Sequence, residues 1–222
     1  VICSQRNNMT DKTHSPFHVV EDFISPANCE KIIAELGIAE PSLAEDGRPL
    51  KNERIIKDNE LFKLIQSAIL ENGQDIQDRY NAKIKGMETP HFQQYFEDPK
   101  HPAEPHGCEN SKHVRKKWVK CKDVDVVGYV WLKDYGNGVP LDPQVEVYGG
   151  KLEFPAYNFS LVPQRGTMVM FPAGPHFITA VSPILVGSLE VIKFSLKLTT
   201  NEDGIWLYQP SNFPGTYVDW FE

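Results

Sequence analysis

The chain has 222 residues, 41% hydrophobic and 24% charged, a balance that excludes a disordered or fibrous chain and suits one globular domain with a helical annex. No apolar run approaches the roughly 20 residues that a membrane span requires, and a net charge of −7 argues against nonspecific nucleic-acid binding. The cysteines Cys3, Cys29, Cys108 and Cys121 form no CxxC pair, so they read as free thiols in a reducing cytoplasm.

The opening VICSQRNN lacks a charged segment followed by an apolar one, so it does not read as a signal peptide, and Met9 is a candidate start. Phe17–Phe23 alternates like a short strand. Ser25-Pro26-Ala27 opens a helix with a capping serine and a first-turn proline, and Gly37 closes it. Residues 38–57 are charged and turn-rich. From Asp58 to about Tyr80, Leu61, Leu64, Ile65, Ala68, Ile69 and Ile76 recur at helical spacing, with an interruption near Asn72-Gly73. These helices have one apolar face and need a sheet to lie against.

After Met87 the texture changes to short segments rich in Val, Ile, Tyr, Phe and Trp between turn residues, near 90–97, 123–133, 146–154, 157–163, 167–171, 176–184 and 188–199. This pattern suggests an antiparallel sandwich or barrel in an α+β protein, and in its specific version a jelly roll (double-stranded β-helix) buttressed by N-terminal helices. A flexible N-terminus (1–16), a strand with supporting helices (17–88), the jelly-roll core (89–199) and an irregular aromatic tail (200–222) then form one domain. The basic stretch Lys112–Lys122 reads as a solvated loop face within a longer lid, Asp98–Lys122.

Dinucleotide, NTP, esterase and zincin motifs are absent (no GxGxxG, Walker loop, GxSxG or HExxH). What remains is histidine and carboxylate chemistry. Two histidines and one carboxylate on one face suit a non-haem Fe(II) centre with open positions for oxygen. His106 with Glu109 three residues on, and His176 in GPHFI before a strand, offer that set. Lys193 lies in the otherwise apolar VIKFSL, where a cation is costly to bury unless it meets an anion such as a dicarboxylate. Each residue also has an ordinary reading: loop histidines, a loop acid, a lysine reaching a strand edge. Arg165 reads as stabilising its own turn, and His91, His101 and His113 show no partner pattern.

FHVVEDFISPANCEKII, QYFEDPKHPAEPH, DVVGYVWLKDY, YGGKLEFP, VPQRGTMVMFPAGPHFI and VSPILVG occur in that order. Over about residues 17–198 they resemble the 2-oxoglutarate- and Fe(II)-dependent dioxygenases, in particular the prolyl-4-hydroxylase-like branch of bacteria and phages. The resemblance implies iron held by His106, Glu109 and His176, with no catalytic residue beyond these ligands. It also implies 2-oxoglutarate as co-substrate, met at its far carboxylate by Lys193 with Tyr95 or Tyr129, O2 as oxidant, and ascorbate as an optional reductant. The product is a hydroxylated C–H bond, with a peptidyl proline as the substrate suggested by analogy.

The family pattern is His-x-Asp, whereas this chain reads His106-Gly107-Cys108-Glu109. The acid is therefore Glu109 at longer spacing, Cys108 takes its place, or no protein carboxylate is present, as in the family's halogenases. The second family histidine falls at Thr179 rather than His176, and the family's basic residue falls near Leu189 and Glu190. A catalytically degenerate jelly roll that serves as a binding or structural module is the alternative these departures leave open.

Overall fold

The computed structural model describes residues 16–57, 60–98, 110–114, 117–120, 124–136 and 142–200. Its first part holds β1 (His18–Val20), α1 (Pro26–Leu36), β2 (Asn52–Ile55), α2 (Glu60–Glu71), α3 (Gly73–Tyr80) and β3 (Ala82–Met87). Next come β4 (His91–Phe96), β5 (Ser111–Val114), β6 (Lys117–Lys120), β7 (Val126–Trp131), β8 (Asp134–Tyr135) and β9 (Glu146–Gly149). Last are β10 (Leu152–Phe154), a 3-10 turn at Pro155–Tyr157, β11 (Phe159–Leu161), β12 (Met168–Pro172), β13 (Ala180–Val181), β14 (Ile184–Val186) and β15 (Ser188–Thr200).

Local chemistry sets the helix ends. Ser25 Oγ accepts from the Asn28 amide at 3.4 Å, and Pro26 occupies the first turn, where its missing N–H costs nothing. Gly37 stops α1 without turning left-handed, for its φ is −68°. A Cβ there would lie 2.7 Å from the Ile33 carbonyl oxygen, so the glycine is required by contact. Asn72 separates α2 from α3, its side-chain amide donating to the Ala68 carbonyl at 2.9 Å. Among the described residues no helix is long and apolar enough to cross a membrane.

The main sheet runs β1-β12-β7-β15-β4-β2, with β3 also paired to β15, and every pairing in it is antiparallel. Two smaller sheets, β11-β10-β13 and β14-β9-β8, pack against one of its faces. Side-chain alternation divides the core in two. Val126, Val130, Met168, Met170, Ile192 and Phe194 share a cluster with Ile32, Leu61, Ile65 and Ile76 of the helices. Val127, Tyr129, Trp131, Val169, Phe171, Leu189 and Val191 share the other with Val147, Leu152, Phe154 and Val181 of the smaller sheets. The result is the largely antiparallel sandwich that a jelly roll requires.

Several expectations need correction. β2 lies in a stretch read as turn-rich, β3 in one given no element of its own, and the expected strand over 146–154 is divided by Gly150-Lys151. Of residues 176–184, Ala180–Val181 forms a strand and Ile184 begins the next. The basic stretch is no plain loop: β5 and β6 pair antiparallel. Arg165 reaches beyond its own turn, with its guanidinium 3.2 Å from Glu30 of α1 and 3.4 Å from Asp134 of β8. Of the divisions 1–16 and 200–222, all but Pro16 and Thr200 lie outside the described residues.

Candidate functional site

Strand register decides which candidates can act together. Lys193 of β15 stands opposite Tyr129 of β7 on one side and His91 of β4 on the other. Its half-buried side chain carries the ammonium 6.0 Å from the Tyr129 ring centroid. Tyr129 is buried in the inner cluster and stacks on Phe171 at 5.9 Å. The inner face of the main sheet therefore holds a cation beside an aromatic wall.

Tyr95 does not join them. It pairs with Leu189, four residues from Lys193 and so about 13 Å along the strand. Its hydroxyl donates to Gln93 Oε1 at 3.0 Å, and the Lys51 ammonium lies 5.6 Å from its ring centroid.

A polar network links this edge of the sheet. Glu53 of β2 accepts from Gln93 Nε2 at 2.8 Å, pairs with Lys51 Nζ at 3.0 Å and meets His91 Nδ1 at 3.1 Å. Burial alone would raise the Glu53 carboxyl. The hydrogen bonds from Gln93, Lys51 and His91, with the Lys51 charge, outweigh it and bring the group down to about 2. Sequence reasoning set His91 aside because its partner lies on another strand, 38 residues away.

His176 sits in the turn after β12, where the Phe177 amide donates to the Gly174 carbonyl at 2.9 Å. Partial burial pushes the imidazole below its ordinary value, which favours the neutral form that binds metals. His106, Cys108 and Glu109 lie outside the described residues. The chain re-enters the described fold at Asn110, whose amide donates to the Ala173 carbonyl at 3.2 Å, three residues before His176. The Asn110 side-chain amide also donates to the Val124 carbonyl at 3.1 Å. At the other end of this segment the Asp98 amide donates to the Ile184 carbonyl at 3.0 Å.

Among the described residues no three His, Cys, Asp or Glu side chains gather into a metal-binding group. Of the three ligands expected from the sequence, His176 is the one that lies among the described residues. For a dicarboxylate the fit differs along β15. Thr179 and Leu189 are both buried, and Leu189 packs on the opposing backbone so closely that a Cβ at Gly150 would come within 3.1 Å of its Cδ2. Gly150 has φ +67°, which glycine adopts without strain. That place is apolar and filled, whereas Lys193 on the same face carries a positive charge. Glu190 turns the other way. It is buried and paired with Lys133 at 3.0 Å, a pairing that sequence reasoning also missed.

No protein-family model matches the sequence, and no curated protein does. Solved structures do match. A viral collagen prolyl hydroxylase from Paramecium bursaria Chlorella virus-1, in its 2OG complex, superposes with TM-score 0.59 at 16% identity, covering 84% of this chain and 97% of that one. The chain has the prolyl-hydroxylase fold. A Pseudomonas putida prolyl-4-hydroxylase matches with TM-score 0.56 at 16% identity, over 83% of this chain and 94% of the other. A prolyl hydroxylase from Trichoplax adhaerens, in complex with a hypoxia inducible factor peptide fragment, matches with TM-score 0.56 at 13% identity, over 82% and 83%. The resemblance read from sequence motifs thus holds at the level of the fold.

Proposed function

We propose that this chain is an Fe(II)- and 2-oxoglutarate-dependent oxygenase that hydroxylates a C–H bond, with a peptidyl proline as the first candidate substrate. The observation that carries this reading is Lys193: a cation on the inner face of a prolyl-hydroxylase-fold sheet, half-buried beside the ring of Tyr129. In this reading α1, α2 and α3 buttress the main sheet from behind.

His106, Glu109 and His176 would hold the iron. Glu109 precedes Asn110 by one peptide bond, and the Asn110–Ala173 hydrogen bond ties that point of the chain to the turn bearing His176. Lys193 would meet the far carboxylate of 2-oxoglutarate, with Tyr129, rather than the distant Tyr95, at its side. Bound iron and co-substrate would supply the oxidising chemistry. The chain's own part is to present a neutral imidazole at His176, to orient the co-substrate through Lys193, and to exclude water with the packed rings of Tyr129, Phe171 and Phe154. The substrate lid would be Asp98–Lys122, in which the Asp98 amide donates to the Ile184 carbonyl and the Asn110 amide to the Ala173 carbonyl. The expected setting is the cytoplasm.

One observation favours a second reading. The buried Thr179 and the Leu189–Gly150 contact are what a non-catalytic jelly-roll module would retain after its site was lost. Anaerobic addition of Fe(II) and 2-oxoglutarate separates the two. The oxygenase gives a weak visible charge-transfer band only when both are added, and converts 2-oxoglutarate to succinate once O2 is admitted. Absence of both signals leaves the binding module.

A further inference from the structure

β1 is three residues long and lies at the edge of the main sheet, against β12. Beyond it the chain turns at Asp22, which has φ +54°, and is then pinned by the buried Phe23 and Ile24. The Ile24 amide donates to the Gly166 carbonyl at 3.1 Å. The strand can therefore move about that turn while the rest of the sheet stays in place.

Its side chains reach both cores. His18 stands opposite Met170, on the helix side, and is 3% exposed. Its Nε2 lies 3.1 Å from Asp75 Oδ2 of α3, yet among the described residues neither ring nitrogen has an aligned hydrogen-bond partner. Phe17, the residue before it, packs on the other side of the sheet. There its ring centroid lies 4.6 Å from that of Phe154, 5.5 Å from Tyr157 and 6.0 Å from Phe177, the residue that follows His176.

We propose that His18 is a proton-operated latch: when its ring takes up a proton, β1 loosens from the sheet edge and Phe17 withdraws from the turn that bears His176. The latch stands on the geometry of β1, and its consequence for a metal site rests on the reading of His176 as a ligand.

A charged ring is costly to hold in a buried place without hydrogen bonds. The titratable and charged groups facing it are Asp75, Arg79 and the Tyr80 phenol, all from α3, while β12 presents Met170. Desolvation pushes His18 below its ordinary 6.5, the Asp75 carboxylate pulls the other way without outweighing it, and Arg79 adds to the fall. Asp75 is 62% exposed, so water and salt weaken its attraction. Tyr80 donates to the Pro16 carbonyl at 3.3 Å, and burial pushes its phenol up, so that contact does not titrate here. The closed strand thus takes up the proton less readily than the open one. Its stability is complete above 6.5 and is lost as pH falls below that value.

Hydrogen exchange read by mass spectrometry on the full chain tests this, with intrinsic rates corrected at each pH. Protection over residues 16–20 should fall at least about threefold between about pH 7.5 and about pH 5.5, within the limit of about tenfold per pH unit that one proton sets. Residues 173–178 should follow in parallel. His18→Gln should flatten both dependences, and Asp75→Asn should deepen them. Phe17→Ala should keep the fall over 16–20 and leave 173–178 independent of pH. An unchanged dependence in His18→Gln overturns the latch. So does an NMR titration of the wild-type chain that places the His18 ring at or above 6.5, a measurement that needs no variant to fold. A fall over 16–20 with none over 173–178 overturns the link to the His176 turn. None of these readouts needs iron or 2-oxoglutarate, so they decide the latch separately from the oxygenase reading, which the charge-transfer band decides.

Discussion

The ion pair between Lys133 and Glu190 allows a quantitative test of the fold. Lys133 Nζ lies 3.0 Å from Glu190 Oε2 and donates to Ser188 Oγ at 3.1 Å and the Pro143 carbonyl at 2.8 Å. Glu190 Oε1 accepts from Ser188 Oγ at 2.6 Å and Gln94 Nε2 at 3.0 Å. Both charged side chains are almost wholly buried, and desolvation pushes the Glu190 carboxyl up despite the lysine and these hydrogen bonds. Lys133→Met leaves a buried carboxylate without its counter-charge, a loss of about 3–5 kcal/mol. In a domain of this size that corresponds to a fall in Tm of about 6–20 °C. The double variant Lys133→Met, Glu190→Leu removes both charges, and its stability should return to within about 1–2 kcal/mol of wild type. Gln94 Nε2 keeps the Ile38 carbonyl at 3.1 Å in that variant, and half-buried Ser188 can turn to water. Urea and thermal unfolding followed by circular dichroism measure all four corners of the cycle. A single-variant loss below about 1 kcal/mol, or a double variant no better than the sum of the singles, refutes the reasoning.

Gly128→Ala places a Cβ within the ring of Phe194, which is itself fully buried, and should destabilise by about 1–3 kcal/mol in the same unfolding assay. Glu53, depressed from 4.5 to about 2, contributes stability that is fully present above 4.5 and lost as pH falls towards 2. Glu53→Gln should therefore flatten acid unfolding across that window. Cys29 is buried and its thiol is pushed up to about 11, chiefly by desolvation. Its peptide should stay unlabelled by a thiol reagent on the native chain and become labelled after denaturation, as mass spectrometry would show.

Elements with strong local signals were legible before any coordinates. Ser25, Pro26 and Gly37 bound α1, and the interruption at Asn72-Gly73 divides α2 from α3, because caps and breaks are set by neighbours in the chain. The segments around β4, β7, β12 and β15 stood out because buried strands are rich in β-branched and aromatic residues. β2 did not. Asn52-Glu53-Arg54-Ile55 is a short charged edge strand whose residues are mostly exposed, so its identity comes from pairing with β4 rather than from composition. The site divides the same way. Lys193 drew notice as a charge in an apolar run, but its neighbours Tyr129 and His91 are assigned by register. No local pattern marks the Glu53–His91 and Lys133–Glu190 contacts, which join residues far apart in the chain.

β15 lies between β7 and β4 in the main sheet and pairs with β3 along its second half. Without it the sheet divides into β1-β12-β7, β4-β2 and the lone strand β3. Pairs such as His91 with Lys193 and Ala82 with Thr200 span about a hundred residues. At synthesis rates of about 5–20 residues per second, β4 leaves the ribosome some 5–20 s before the strand that must lie beside it. Through that interval the apolar faces of the helices and one long edge of β4 lack their native cover. A stop codon before residue 188 would thus leave the pieces of the sheet unjoined rather than a shortened protein.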